Sequence, residues 1–213
     1  MLLYYITDRG GFEGNDAEQR AALLRCVAGA ARAGVDYIQL REKDLSTDDL
    51  ELLAREALHV VRESSATTKL LINTFTDVAL AIGADGVHQP AGSPPASAVR
   101  AAWFAHSRLP PVIGVSAHSA ADVQLAETDG ADFAVLAPIF EKAGTSLKGI
   151  GLQVLHHACT ESRLPVLALG GVSIDNARAC LDAGAGGLAG IRLFQQGNVA
   201  ETMKRLRELS EAA

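Results

Sequence analysis

The chain has 213 residues, of which 48% are hydrophobic and only 5% aromatic, with a formal net charge of -6 at pH 7. That length supports one domain with a core of Ala, Val, Leu and Ile. The charge, with no Lys or Arg run, argues against a nucleic-acid partner. No apolar stretch approaches the roughly 20 residues of a membrane span, and no basic segment precedes an apolar one at the N-terminus. A cytoplasmic protein with no membrane partner is the expectation.

Eight strand-like runs follow in chain order: 3–7, 37–41, 70–73, 86–88, 112–116, 133–137, 166–170 and 187–191. Long stretches separate them, several amphipathic at three-and-four spacing, as in Leu50, Leu53, Ala54, Ala57, Leu58 and Val61. A phrase recurs four times: a helix end, a Gly, then a short strand, at Gly34, Gly83, Gly130 and Gly184. Gly there closes the last helical turn in the left-handed conformation. Its spacings of 49, 47 and 54 residues fit two βα units each. Parallel strands need crossover helices over their outer face, so the pattern predicts a single (β/α)8 barrel over residues 1–213, of TIM-barrel type. An open doubly wound sheet is the runner-up. Cys26, Cys159 and Cys180 lack metal-ligand spacing and read as buried small hydrophobes.

Chemistry in such a barrel sits where strands end and loops open on one face. The second strand runs Gln39-Leu40-Arg41-Glu42-Lys43, and alternation sends Gln39, Arg41 and Lys43 to the mouth while Leu40 and Glu42 face the helices. Asn73 ends strand three, His88 strand four, and Ser116 with His118 strand five. Two cations at one rim suit an anionic ligand, although they could equally pair with Glu42, Asp44 or Asp8. Opposite them, Gly170-Gly171 leads into a helix start and Arg192 follows strand eight, an arrangement suited to a phosphate. The alternative is a tight corner. The loop after strand six, Glu141 to Leu152, is Gly-rich and polar, as a lid would be, with Thr145 and Lys148 as candidate ligand contacts.

The strings Tyr4-Tyr5-Ile6-Thr7-Asp8-Arg9, Gln39-Leu40-Arg41-Glu42-Lys43, Gly83-Ala84-Asp85-Gly86-Val87-His88, Ile113-Gly114-Val115-Ser116-Ala117-His118-Ser119, Pro138-Ile139-Phe140 and Leu169-Gly170-Gly171-Val172 resemble the thiamine phosphate synthase and TenI family across nearly the whole chain. The resemblance implies a (β/α)8 barrel whose small-molecule partner is a thiazole phosphate. It divides into two chemistries. Synthases join a pyrimidine methyl diphosphate to the thiazole phosphate, with Mg2+ held by an Asp after the strand-three Asn and another beyond the strand-four His. Here Thr74 and Ser93 align with those carboxylates, leaving Asp77 as a nearby substitute, so Mg2+ is expected only if the synthase alternative holds.

TenI-type tautomerases need no metal or other cofactor and shift a proton within a carboxythiazole phosphate. An imidazole titrating near neutrality suits that task, which singles out His118, unless it only caps the next helix. The favoured expectation is the tautomerase. The synthase, a non-catalytic ligand sensor and an unrelated phosphosugar isomerase are the alternatives. His88 reads equally as a wall residue or a catalyst, and Ser116 as a ligand contact or a helix cap. A homodimer is also expected.

Overall fold

The computed structural model describes residues 1–141 and 148–211. Eight parallel strands close in sequence order into a barrel. They are β1 (Leu2–Ile6), β2 (Tyr37–Leu40), β3 (Lys69–Asn73), β4 (Gly86–Gln89), β5 (Val112–Ala117), β6 (Phe133–Leu136), β7 (Val166–Ala168) and β8 (Gly187–Gly190). The outer helices are α1 (Asp16–Arg32), α2 (Thr47–Ser64), α3 (Thr76–Ile82), α4 (Ala96–Phe104), α5 (Ala120–Thr128), α6 (Gly151–Thr160), α7 (Ile174–Asp182), α8 (Arg192–Gln195) and α9 (Val199–Glu211). Every predicted strand is present, with β7 ending two residues earlier than expected, just before the bend at Gly170 and Gly171.

Helix starts follow local chemistry. Asn15 and Glu18 form a reciprocal capping box on α1, and the hydroxyls of Ser46 and Ser119 accept the Asp49 and Asp122 amides at the starts of α2 and α5. Leu50, Leu53, Ala54, Ala57 and Val61 form the buried face of α2. Truncating Leu53 to Ala there would cost about 2–5 kcal/mol.

The four repeated glycines all adopt positive φ, at 82°, 72°, 83° and 96°. Two residues beyond each of the first three stands an Asp with a long-range task. Asp36 accepts the Leu3 amide at 2.7 Å, Asp85 the Leu70 amide at 2.8 Å and Asp132 the Ile113 amide at 2.7 Å. Each is also paired with an arginine, Arg207, Arg62 and Arg100 respectively. The repeat therefore stitches the start of one strand to its neighbour with charge-assisted bonds. The fourth copy has Gly186 instead, where an added Cβ would touch Pro165.

Apolar residues form an outer layer between strands and helices and an inner cluster within the barrel. Rings dominate the latter. Tyr37 stacks on Phe133 with centroids 5.1 Å apart, and Tyr4 meets Phe133 edge-on at 5.2 Å. Gly114 makes room for them, since a Cβ there would lie 2.7 Å from Phe133 Cε2. The three cysteines depart in part from expectation: Cys180 is buried, but Cys26 within α1 and Cys159 near the end of α6 are only half-buried. Among the described residues no helix is long and apolar enough to cross a membrane.

Candidate functional site

Because all strands run parallel around a closed barrel, the residues that follow β2 and those that follow β7 emerge on the same face. On that face a cavity of about 600 Å³ is lined by Arg41, Lys43, Asn73, Thr74, Ser116 and His118, with Leu40, Leu50, Phe75 and Pro90 among its walls. A second, of about 460 Å³, is lined by Gly171, Val172, Ser173, Arg192 and Arg205. The expected site residues thus share one face but divide between two openings, because the corner between β7 and α7 places Gly171 beside Arg192 of α8 and Arg205 of α9.

The cationic rim has no ion-pair partner among the described residues. Among the described residues, Glu42 and Asp44 pair with Arg9, not with Arg41 or Lys43. The Thr7 hydroxyl accepts the Arg41 amide at 2.9 Å and donates to Glu42 Oε1 at 2.6 Å, while Glu42 Oε2 accepts the Arg9 amide at 2.9 Å. Burial pushes the Glu42 carboxyl upward, against these donors. Glu42, buried against Thr7 and Arg9, is what fixes the backbone between the two cations. Sequence reasoning placed Glu42 against the helices but assigned it no part in the site; the alternation of charge in Arg41-Glu42-Lys43 was the available signal.

Gln39 lies deeper than expected. It is 1% exposed, below the mouth and beside Tyr4, and its Nε2 has no hydrogen-bond partner among the described residues. The closed barrel swallows this position, whereas Arg41, two residues on, clears the rim. Asn73 donates from Nδ2 to Thr74 Oγ1 at 3.0 Å. Thr74 itself has φ 68°, and the Phe75 amide closes a three-residue turn on the Asn73 carbonyl at 2.8 Å. A β-branched residue in that region stores roughly 1–3 kcal/mol of strain at the edge of the cavity.

His88 is a wall residue. It is 3% exposed and hydrogen-bonded at both nitrogens, to Tyr4 and Ser116. Burial, aided by the charge of Arg41, pushes its pKa down to about 3. His118 is exposed and lies on the cavity. Its Nδ1 is 2.9 Å from the Ala137 carbonyl, which can only accept, so the ring donates there and in its neutral form carries a lone pair on Nε2. The helix cap considered for His118 and Ser116 is supplied by Ser119 instead.

Gly170 and Gly171 have φ 94° and 66°. An added Cβ would lie 2.7 Å from Pro138 Cα at the first and 2.7 Å from Phe140 Cβ at the second, so packing of the corner alone demands glycine at both. Asn176 ties the corner down by donating to the Gly171 carbonyl at 2.9 Å. The amides of Gly171 and Val172 have no hydrogen-bond partner among the described residues. Arg192 opens α8 beside them. Lys148 is exposed, and Thr145 lies outside the described residues, as does half of the loop read as a lid.

The carboxylates that would hold Mg2+ in the synthase pattern find no equivalent. Thr74 Oγ1 is already engaged by Asn73, Ser93 offers a neutral hydroxyl, and Asp77 is exposed in the first turn of α3. Among the described residues no three His, Cys, Asp or Glu side chains gather to hold a metal. These donors do not suit a hard dication.

Fold and mouth together define a (β/α)8 barrel with a cationic, imidazole-bearing face at its strand ends, the arrangement of an enzyme on phosphorylated small molecules. The description "Thiamine monophosphate synthase" (TMP-TENI) matches residues 3–194, and the chain belongs to that family. It is 36% identical over 213 residues to a thiamine-phosphate synthase of Coprothermobacter proteolyticus, covering 98% of this chain and 94% of that one. It is 34% identical to a thiamine-phosphate synthase of Moorella thermoacetica over 87% of each chain. A solved thiamine phosphate pyrophosphorylase from Pyrococcus furiosus superposes with a TM-score of 0.81 at 28% identity, covering 99% of this chain and 96% of that one.

Proposed function

We propose that this enzyme binds a thiazole phosphate at the β-strand C-termini and catalyses a metal-independent proton shift within a carboxythiazole phosphate. The observation that carries the reading is the rim: Arg41 and Lys43, unpaired among the described residues, His118 with its Nε2 lone pair available, and hydroxyls where metal carboxylates would stand. His118 Nε2 takes a proton from the ring carbon and returns it to the exocyclic carbon. The double bond moves into the ring, which becomes aromatic, and no other group is consumed. Arg41, Lys43, Asn73 and Ser116 hold the anionic groups. Gly170, Gly171 and Arg192 form the phosphate cradle, with Thr145 and Lys148 as further contacts and Gln39 supporting the floor. A cytoplasmic setting and the absence of a nucleic-acid partner are part of the same proposal.

The second reading is the synthase reaction, and the names of the relatives favour it. Its weakness is charge. The departing pyrophosphate would rely on Arg41 and Lys43 in place of Mg2+ held by carboxylates.

One experiment separates them. Carboxythiazole phosphate is incubated with the enzyme in excess chelator and aromatisation followed by absorbance; in parallel, thiazole phosphate and pyrimidine methyl diphosphate are supplied with Mg2+. Aromatisation under chelator supports the tautomerase. Thiamine phosphate formed only with Mg2+, and no aromatisation, overturns it in favour of the synthase.

A further inference from the structure

Inside the barrel runs a hydrogen-bond chain that the proton shift does not use. Tyr4 Oη lies 3.2 Å from His88 Nδ1, and His88 Nε2 lies 2.9 Å from Ser116 Oγ. Tyr4 is fully buried and His88 nearly so, whereas Ser116 reaches the large cavity. The polarity of the chain follows from its protons. Burial holds the Tyr4 phenol well above its ordinary pKa, so it keeps a proton to give. His88 Nδ1 is the one hydrogen-bond partner the phenol meets among the described residues.

The reverse polarity would leave a buried hydroxyl proton without an acceptor, which is the costly arrangement. Tyr4 therefore donates to Nδ1. A neutral imidazole that accepts at Nδ1 carries its proton on Nε2 and passes it to Ser116 Oγ. His88 stays neutral at working pH, so this tautomer does not titrate away. With its oxygen taken as an acceptor, Ser116 is left with its own proton to direct at whatever fills the cavity.

We infer that Tyr4, acting through His88, is a positioning residue that leaves the Ser116 hydroxyl proton free for the ligand, so that the site can donate a hydrogen bond to an anionic oxygen at that place. The effect on binding rests on the cavity being the ligand site; the polarity of the chain does not. Ring spectra correlating 1H and 15N in the ligand-free wild-type protein read the His88 tautomer directly. Nε2–H is expected, and Nδ1–H overturns the inference.

Titration with 4-methyl-5-hydroxyethylthiazole phosphate then tests transmission. Tyr4→Phe and Ser116→Ala should each weaken binding about five- to tenfold, and the double variant no further than either alone. Independent, multiplying losses would overturn the link from Tyr4 to Ser116. If the wild type binds no thiazole phosphate, the proposed function falls while the spectrum still decides the polarity. Should Tyr4→Phe fail to fold, the spectrum is the deciding measurement.

Discussion

Acidification should cost this barrel more stability than its carboxylates explain, and His88 sets the excess. In the unfolded chain its imidazole takes a proton with a pKa of about 6.5. In the fold, burial and then the Arg41 charge hold it down to about 3. The folded value lies below the unfolded one, so folding selects the neutral ring. That stabilisation is complete above about pH 6.5 and is lost progressively as pH falls toward about 3, at roughly 1.4 kcal/mol per pH unit. Between about pH 7 and about pH 5 the loss is ~2 kcal/mol. Urea unfolding at both pH values, for wild type and His88→Gln, isolates it, because Gln does not titrate and the other groups contribute alike to both proteins. The wild type should lose ~2 kcal/mol more than the variant over that interval. A difference below about 0.5 kcal/mol would mean that His88 titrates near its ordinary value and that the buried chain from Tyr4 to Ser116 is wrongly described.

Glu42→Gln places an amide donor against either the Arg9 amide or the Thr7 hydroxyl, both of which donate to Glu42. It should destabilise by about 2–4 kcal/mol in urea and raise KM, because the backbone between Arg41 and Lys43 loses its anchor. His118→Gln should lower aromatisation at least about 100-fold while leaving the melting temperature nearly unchanged; turnover near the wild-type rate would remove His118 from the mechanism. Thr74→Gly relieves the positive φ of a β-branched residue and should stabilise by about 1 kcal/mol in the same urea assay. Unchanged or lower stability would mean that the bond from Asn73 outweighs the strain.

Much of the architecture was legible because it is written in local chemistry. The Gly of each repeat must take positive φ, and all four do. The alternation of Gln39, Arg41 and Lys43 was readable as one strand exit; Arg41 and Lys43 line the large cavity, while Gln39 is buried. What escaped were partners distant in sequence. Asp36, Asp85 and Asp132 look like turn residues beside a Gly, and nothing local says that their carboxylates reach another strand. The clamp of Thr7, Arg9 and Glu42 joins two strand exits and has no motif of its own. Nor does any local rule place Thr74, a β-branched residue, in the left-handed region; its turn is held by the Asn73 carbonyl and by the neighbouring strand at His88.

Tyr4 of β1, with Tyr37 and Phe133 at the starts of β2 and β6, fills the barrel interior toward its strand-start end with stacked and edge-on rings. A plug of that kind bounds how far any guest can sink and separates the working end from the opposite one. Replacing residues near Met1 or Pro165 should therefore alter how firmly the protein holds together without altering what it recognises, and new specificities would have to arise from the strand exits and the loops that follow them.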